Sequence, residues 1–465
     1  MEKFDLVVIG GGPGGYPAAI RAAQLGASVA LVEKEALGGT CLNWGCIPTK
    51  TLIASSDLYA HMQHSDKLGI SATDVVADYK TMTKRKDKVV ATLNGGVAQL
   101  LKANGVTVLS GVASFASRNT ISVSLQDGAT TMLQANNTII ATGASPAMPG
   151  FLPKSELVMT SRQFLALTSL PDSIIVLGGG VIGCEFACMA AQLGSEVTIV
   201  EMLDDILIIL DKDVRTVLRS HMEKDLGIRV LTGKPLQDIK ADATSVSGKF
   251  DRKKIKADVL LAAIGRRPFT DKLNLAAAGL TTNDAGFIET DDTCRTAVAT
   301  VYAIGDVSGE PQLAHAATSQ GITAAENACG PARRTVETAV PACIFTSPEI
   351  GCAGLTEQQA TEQGIDYKVG KFSFASLGKA MATGETNGFL KILTDTVTGR
   401  ILGAQSIGPH ATELISEAAL AIRSEITVEE LAATIHCHPT LSEAWMEAAH
   451  AAEGTCVHAP PKRKR

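Results

Sequence analysis

One design is written twice in this chain, and nothing else limits its fold as much. Gly10, Gly12 and Gly15 follow a first strand, Phe4 to Ile9, and open a helix through Ala18-Ala19-Ile20. That helix reaches Leu25-Gly26 before a second strand, Val29 to Val32, ends at Glu33. Far downstream, Ile174 to Leu177 leads to Gly178, Gly180 and Gly183, a helix to Leu193-Gly194, and a strand Val197 to Val200 ending at Glu201. In both copies the first glycine and the glutamate stand 23 positions apart. A lone G-x-G-x-x-G is weak; two with matched strands, helices and acidic ends specify two parallel, doubly wound βαβ units. The glycines let backbone approach a pyrophosphate, the helix N-terminus offers N–H donors and a positive dipole, and the glutamate accepts from ribose hydroxyls.

Later strands that end in glycine echo each copy: Asn137 to Gly143, then Asp258 to Gly265, the latter running on into Arg266-Arg267-Pro268. Val301-Tyr302-Ala303-Ile304-Gly305-Asp306 is a third such strand, and Asp306 stands at its end, where a carboxylate can accept hydrogen bonds from a ribityl chain. Glu201 repels a 2′-phosphate, and Met202-Leu203-Asp204-Asp205 after it bring no arginine to hold one, so the second site is expected to take NAD rather than NADP.

A chain of 465 residues suggests three domains, each large enough for its own core. With 43 glycines, 45% hydrophobic and only 4% aromatic residues, an α/β protein is expected. A net charge of −6 argues against nucleic acid as a main partner. The first strand begins at once, leaving no room for a signal segment, and no apolar run reaches the roughly 18 residues of a membrane span. Ten scattered cysteines point to a reducing compartment, cytoplasmic or, in a eukaryote, the mitochondrial matrix.

Cys41-Leu42-Asn43-Trp44-Gly45-Cys46 follows Gly38-Gly39-Thr40 and precedes Ile47-Pro48-Thr49-Lys50. Isolated, two cysteines so spaced are ordinarily an inert disulfide or unpaired buried thiols. Beside two dinucleotide fingerprints they read as a redox pair, with Gly45 and Pro48 allowing the distortion that bridging a five-residue helical spacing requires. His436-Cys437-His438-Pro439-Thr440-Leu441-Ser442-Glu443 supplies a base. A thiol of pKa near 8.5 attacks slowly at neutral pH without one, and imidazole suits the task. Glu443 is placed to orient His438, with Pro439 turning the chain between them; His436 is expected to be structural.

Together these motifs resemble the pyridine nucleotide-disulfide oxidoreductases, and within them the branch that oxidises dihydrolipoamide, from Asp5 to about Ala449. The resemblance implies two Rossmann-like dinucleotide-binding domains plus a C-terminal α+β dimerisation domain. Residues 1–148 and 274–341 would form the FAD-binding domain, 149–273 the NAD-binding domain, and 342–465 the interface domain. It implies that protein-bound dihydrolipoamide is reoxidised while NAD+ becomes NADH, as the shared component of 2-oxoacid dehydrogenase or glycine cleavage complexes. Cys41 would be the interchange thiol, Cys46 the thiol at the flavin, and Lys50 the lysine beside the flavin, paired with Glu185. His438 would meet the cysteine pair across a homodimer. The remaining positions implied for cofactor binding are Gly10, Gly12, Gly15, Glu33, Gly39, Thr40, Ala113, Thr142, Gly143, Gly178, Gly180, Gly183, Glu201, Gly265, Asp306 and Ala314.

Glutathione reductase shares the cysteines and fingerprints but normally uses NADP, which Glu201 opposes. Mercuric reductase places vicinal cysteines at its end, whereas Cys437 and Cys456 are far apart here; a soluble transhydrogenase usually lacks one cysteine of the pair. A flavoprotein kept mainly as a structural component would not need the full set Cys41, Cys46, Lys50, His438 and Glu443. Two departures stand out: Trp44, where a smaller residue is frequent, is expected to narrow access or shift flavin contacts. Cys437, where alanine is common, is expected to add oxidant sensitivity. The apolar spacing of Thr412 to Ile422 suits an interface or core helix, and Pro460 to Arg465 reads as a solvated basic tail.

Overall fold

The computed structural model describes residues 1–331 and 333–460; most of the basic tail therefore lies outside the described residues. The chain opens with β1 (Glu2–Ile9), α1 (Gly15–Gln24), β2 (Val29–Glu33), α2 (Gly39–Trp44), α3 (Cys46–Gln63) and α4 (Tyr79–Ala103). Three antiparallel strands follow: β3 (Thr107–Ser117), β4 (Thr120–Leu125) and β5 (Thr130–Ile140). The strands β3-β2-β1-β5 run parallel side by side, and Leu6, Val7 and Val8, paired on both flanks, are wholly buried, as strands covered on both faces must be.

β6 (Ala144–Pro146) leads into the second unit: β7 (Val158–Thr160), α5 (Ser161–Leu165), β8 (Ser173–Leu177), α6 (Val181–Gln192), β9 (Glu196–Val200), α7 (Lys212–Lys224) and β10 (Arg229–Leu231). An antiparallel meander of β11 (Gln237–Ala241), β12 (Val246–Phe250) and β13 (Lys253–Ala257) precedes β14 (Val259–Ala262), and β15 (Arg266–Pro268) pairs back onto β6. The order β10-β9-β8-β14-β7 repeats that of the first sheet, meander included. The first sheet gains its last strand, β16 (Val301–Ala303), only after the whole second unit, and α8 (Ala314–Cys329) then packs on α1. Their contact is close because both helices are small there: a methyl on Gly321 would sit 2.2 Å from Gly14 O.

The last region is an antiparallel sheet, β17 (Ala342–Ile344), β18 (Ile350–Gly354), β21 (Ile401–Ile407), β20 (Phe389–Asp395) and β19 (Tyr367–Ser373) in spatial order. It is accompanied by α9 (Glu357–Glu362), α10 (Gly378–Thr383), α11 (Ala411–Arg423), α12 (Val428–Ala433) and α13 (Glu443–Glu453). α11 turns Ile415, Ala418 and Ala421 into this region's own core and leaves Leu420 exposed. At the centre of β20, Lys391 has no exposed side-chain surface; its Nζ lies 2.7, 2.8 and 2.8 Å from Asp211, Asp213 and Glu357. The ammonium thus ties the second unit to the last region, and burial without those carboxylates would be prohibitive. No helix of the described residues is long and apolar enough to cross a membrane.

Candidate functional site

The two fingerprints fold alike in atomic detail. Gly10 and Gly178 have φ of +105° and +109°, and a Cβ on either would stand 2.4 Å from a carbonyl oxygen of the neighbouring strand. A methyl on Gly15 or Gly183 would lie 1.9 or 2.0 Å from Gly10 O or Gly178 O, so α1 and α6 press directly on their turns. The middle glycines, by contrast, face space: only Gly39 Cα lies near Gly12, at 3.8 Å, and nothing lies within 4 Å of Gly180. The glutamates close the loops: Glu33 accepts from Gly11 N (2.7 Å) and Glu35 N (2.8 Å). Glu201 accepts from Gly179 N (2.6 Å) and Leu203 N (2.8 Å). Each cradle, with a glycine-lined gap before a helix N-terminus and a fixed carboxylate, fits a dinucleotide.

Thr142, Gly143, Gly265 and Asp306 lie just beyond the ends of β5, β14 and β16, where open α/β sheets bind ligands. Thr142 donates to Phe269 O (2.8 Å), and Gly143 and Gly265 take φ of +68° and +112° after β5 and β14. Asp306 accepts from Arg266 Nε at 3.2 Å, Ala113 is buried on β3, and Ala314 opens α8. The sequence shows no arginine next to Glu201, yet α7 folds Arg215 and Arg219 back onto Asp205, at 2.9 and 3.3 Å. Both arginines are engaged by that carboxylate; their separation in sequence hid the arrangement.

Gly45 (φ −141°, ψ −110°) separates α2 from α3, and that single break brings Cys41, in α2, against Cys46, the first residue of α3. Pro48 sits in the first turn of α3, where a missing N–H costs nothing, so the distortion belongs to Gly45 alone. The two side chains are close enough to influence each other's titration. The shared hydrogen bond splits them: it and burial drive Cys41 well up, while it and Lys50 pull Cys46 down to about 7. Thr40 and Gly39 belong to the same short helix, which Asn43 steadies by donating to Leu37 O and Gly39 O, both at 2.9 Å.

Lys50 donates to both oxygens of buried Glu185, at 2.9 and 2.7 Å, and Glu185 Oε1 also accepts from Phe345 N (2.9 Å). One carboxylate of the second unit therefore holds the redox helix and the first strand of the last region. Sequence placed Lys50 and Glu185 together; nothing in it announced Phe345.

Near the C-terminus, His438 Nδ1 lies 2.9 Å from Glu443 Oε1, across the turn at Pro439. Burial pushes Glu443 up, but the Thr440 N–H (2.9 Å) and His438 outweigh it and hold the carboxyl below its ordinary value. The imidazole is 75% exposed, and among the described residues no hydrogen bond or ion pair joins it to Cys41 or Cys46 of its own chain. His436, by contrast, is fixed between Thr434 O (3.0 Å) and Glu417 (2.8 Å), which suits the structural part expected of it. Cys437 is exposed. The Trp44 ring lies under Arg162, 3.9 Å from the guanidinium carbon.

Residues 4–321 match the family description pyridine nucleotide-disulphide oxidoreductase, and residues 340–449 match that family's dimerisation domain. The chain is 43% identical to the dihydrolipoyl dehydrogenase of Chlamydia pneumoniae, covering 99% of each chain. It is 45% identical to that of Halobacterium salinarum, covering 98% of this chain and 97% of the relative. Among solved structures, LpdA from Mycobacterium tuberculosis superposes with a TM-score of 0.90 at 28% identity, over 97% of this chain and 99% of the other. The HOCl-induced flavoprotein disulfide reductase RclA from Escherichia coli gives a TM-score of 0.85 at 28% identity, over 95% and 98%.

Proposed function

The chain belongs to the pyridine nucleotide-disulphide oxidoreductase family, and on that basis we propose how its residues carry two electrons from a dithiol to NAD+. The activity is NAD-dependent oxidation of dihydrolipoamide, with FAD and NAD as cofactors. In the proposed sequence the oxidised enzyme holds a Cys41–Cys46 disulfide. A substrate thiol, its proton drawn off by His438 and passed to solvent, attacks Cys41 Sγ as thiolate; a mixed disulfide forms, and Cys46 leaves as thiolate. His438, oriented by Glu443, takes the proton of the second substrate thiol, which attacks the substrate sulfur of the mixed disulfide. The lipoamide ring closes and the Cys41 thiol is released. FAD held in the first cradle would supply the two-electron link between the cysteine pair and NAD+ in the second; the Cys41–Cys46 disulfide is regained as two electrons leave the pair, and one proton is left over in the whole reaction. The hydrogen bond from Cys41 and, after it, the charge of Lys50, which Glu185 fixes, hold Cys46 in the anionic form this needs.

The observation that carries this reading is the placement of the pair: the break at Gly45 sets Cys41 and Cys46 at the facing ends of two helices, with Lys50, held by Glu185, one turn further along the second. The exposed outer face of His438 supports a base that serves the cysteine pair of a partner subunit in a homodimer, a state the dimerisation domain favours. The proposed setting is the cytoplasm, with lipoyl-bearing proteins of 2-oxoacid dehydrogenase or glycine cleavage complexes as partners.

The test is the initial rate of NADH formation from dihydrolipoamide and NAD+, with NADP+ as comparison. A fast, NAD-selective rate that falls by about 10² or more in His438→Gln is expected. No rate from a yellow, dimeric protein would overturn the substrate assignment.

A further inference from the structure

α3 is embedded, with Pro48, Thr49, Thr51, Leu52, Ile53 and Ser56 buried, whereas α2, which carries Cys41, buries no residue. The meeting of the two thiols therefore depends on what holds α2 at its angle across Gly45. Asn43, next to its end, donates to Leu37 O and Gly39 O, and Asn94 of α4 donates to Leu37 O (2.8 Å) and Asn43 Oδ1 (3.2 Å). Trp44, the last residue of α2, adds the contact with the second unit, stacked under Arg162. Arg162 is itself fixed twice: α5 is anchored by buried Phe164 and Leu165 and by a capping box at Thr160, and its guanidinium donates to Glu35 at 3.0 Å. Glu35 donates its N–H to Glu33, the acidic end of the first fingerprint. A continuous run of contacts thus links the first cradle, a helix of the second unit and the residue next to the helix break.

We propose that Trp44 is a positioning residue for the Cys41/Cys46 pair: clamped by Arg162 and Glu35, its ring sets the angle between α2 and α3 and so the approach of the two sulfurs. The inference rests on the redox role assigned to that pair. A planar guanidinium over an indole face is directional, so it restrains rotation of α2 as a simple apolar contact does not.

The test compares Trp44→Leu, Arg162→Ala, their double variant and the conservative Trp44→Phe in the FAD-loaded enzyme. Three quantities are read: the dithiol–disulfide equilibrium in a thiol redox buffer, trapped by alkylation; NADH formation from dihydrolipoamide; and NADH oxidation by a quinone, which takes electrons from flavin without the cysteines. Trp44→Leu and Arg162→Ala are each expected to change the redox equilibrium several-fold and slow dihydrolipoamide oxidation by roughly tenfold, with quinone reduction unchanged. The double variant should lose no more than either single one, since both remove one contact, and Trp44→Phe should restore most of the rate. An unchanged redox equilibrium in Trp44→Leu, or equal loss of both activities, would overturn the proposal. Cys41→Ser separates the two readings: if it spares dihydrolipoamide oxidation, the redox role of the pair fails, and the inference with it.

Discussion

The two nucleotide units share a cradle and differ in what covers it. Glu33 and Glu201 close their loops with matching pairs of hydrogen bonds, and the outer glycines are held by equivalent carbonyls. Beyond the second strand they part company. In the first unit, Gly38-Gly39 folds the redox helix straight back over the fingerprint, so close that a methyl on Gly39 would come 2.6 Å from Gly12 Cα. In the second, the loop after β9 returns only as far as Gly179, whose carbonyl accepts from Leu207 N at 2.9 Å, before leading to α7, and Gly180 stays open. If the proposed cofactor assignment holds, a retained and a released dinucleotide share one fingerprint, and the difference between them is expected to come from the crossover after the second strand.

The severest challenge to that contrast adds one methyl to each unit. Gly15→Ala and Gly183→Ala create equivalent overlaps, each expected to cost about 3 kcal/mol or more locally. The first should emerge from gel filtration without flavin, whereas the second should keep its flavin and fail to reduce NAD+. Flavin content per chain decides it, and equal loss of flavin in both would break the comparison.

The second unit also leans on the last region through Lys391. Lys391→Met leaves Asp211, Asp213 and Glu357 crowded without their cation, and a loss of about 3–5 kcal/mol is expected in denaturant unfolding. A loss below about 1 kcal/mol would show that the carboxylates find other partners.

Much of the cradle was legible because its constraints are local: a positive φ at Gly10 or a carbonyl against Gly15 acts within a few residues of chain. The same holds for the helix break, foretold by Gly45 next to Cys46. Lys391 was not legible. Its three carboxylates come from two distant segments, and a lysine in a strand ordinarily reads as a solvated position. Arg215 and Arg219 were missed for the same reason, since only the turn of α7 brings them to Asp205. Phe345 was invisible because its contribution to the site is a backbone N–H, which every residue but proline carries.

A gentler probe concerns the acidic ends. Glu201→Gln should raise KM for NAD+ roughly tenfold, about 1.4 kcal/mol, and narrow the preference over NADP+. Glu33→Gln should leave KM for NAD+ unchanged and loosen flavin retention. Steady-state kinetics with both nucleotides separates the two, and a matching rise in KM for Glu33→Gln would blur the assignment of the cradles.

The smallest expected change is in the thiol between the units. Alkylation of Cys46 in the dithiol enzyme should be fast above about pH 7 and fade as pH falls through that value, because only the thiolate reacts. The hydrogen bond from Cys41 is the larger cause of this lowering, and Lys50 adds to it, so Lys50→Met should move the midpoint upward by up to about one pH unit. A pH profile of iodoacetamide labelling measures it; a downward move would place the lysine's influence elsewhere.

The late position of β16 has a consequence for synthesis. The edge of β5 that it covers leaves the ribosome roughly 160 residues before Val301–Ala303 does. At about 5–20 residues per second, that edge waits some 8–30 seconds for its partner strand, while the second unit completes its own sheet in the interval. The first region to be translated is thus the later of the two nucleotide units to be finished. During that wait its exposed edge, ending in Thr138-Ile139-Ile140, is where a nascent chain is most open to pairing with the wrong strand.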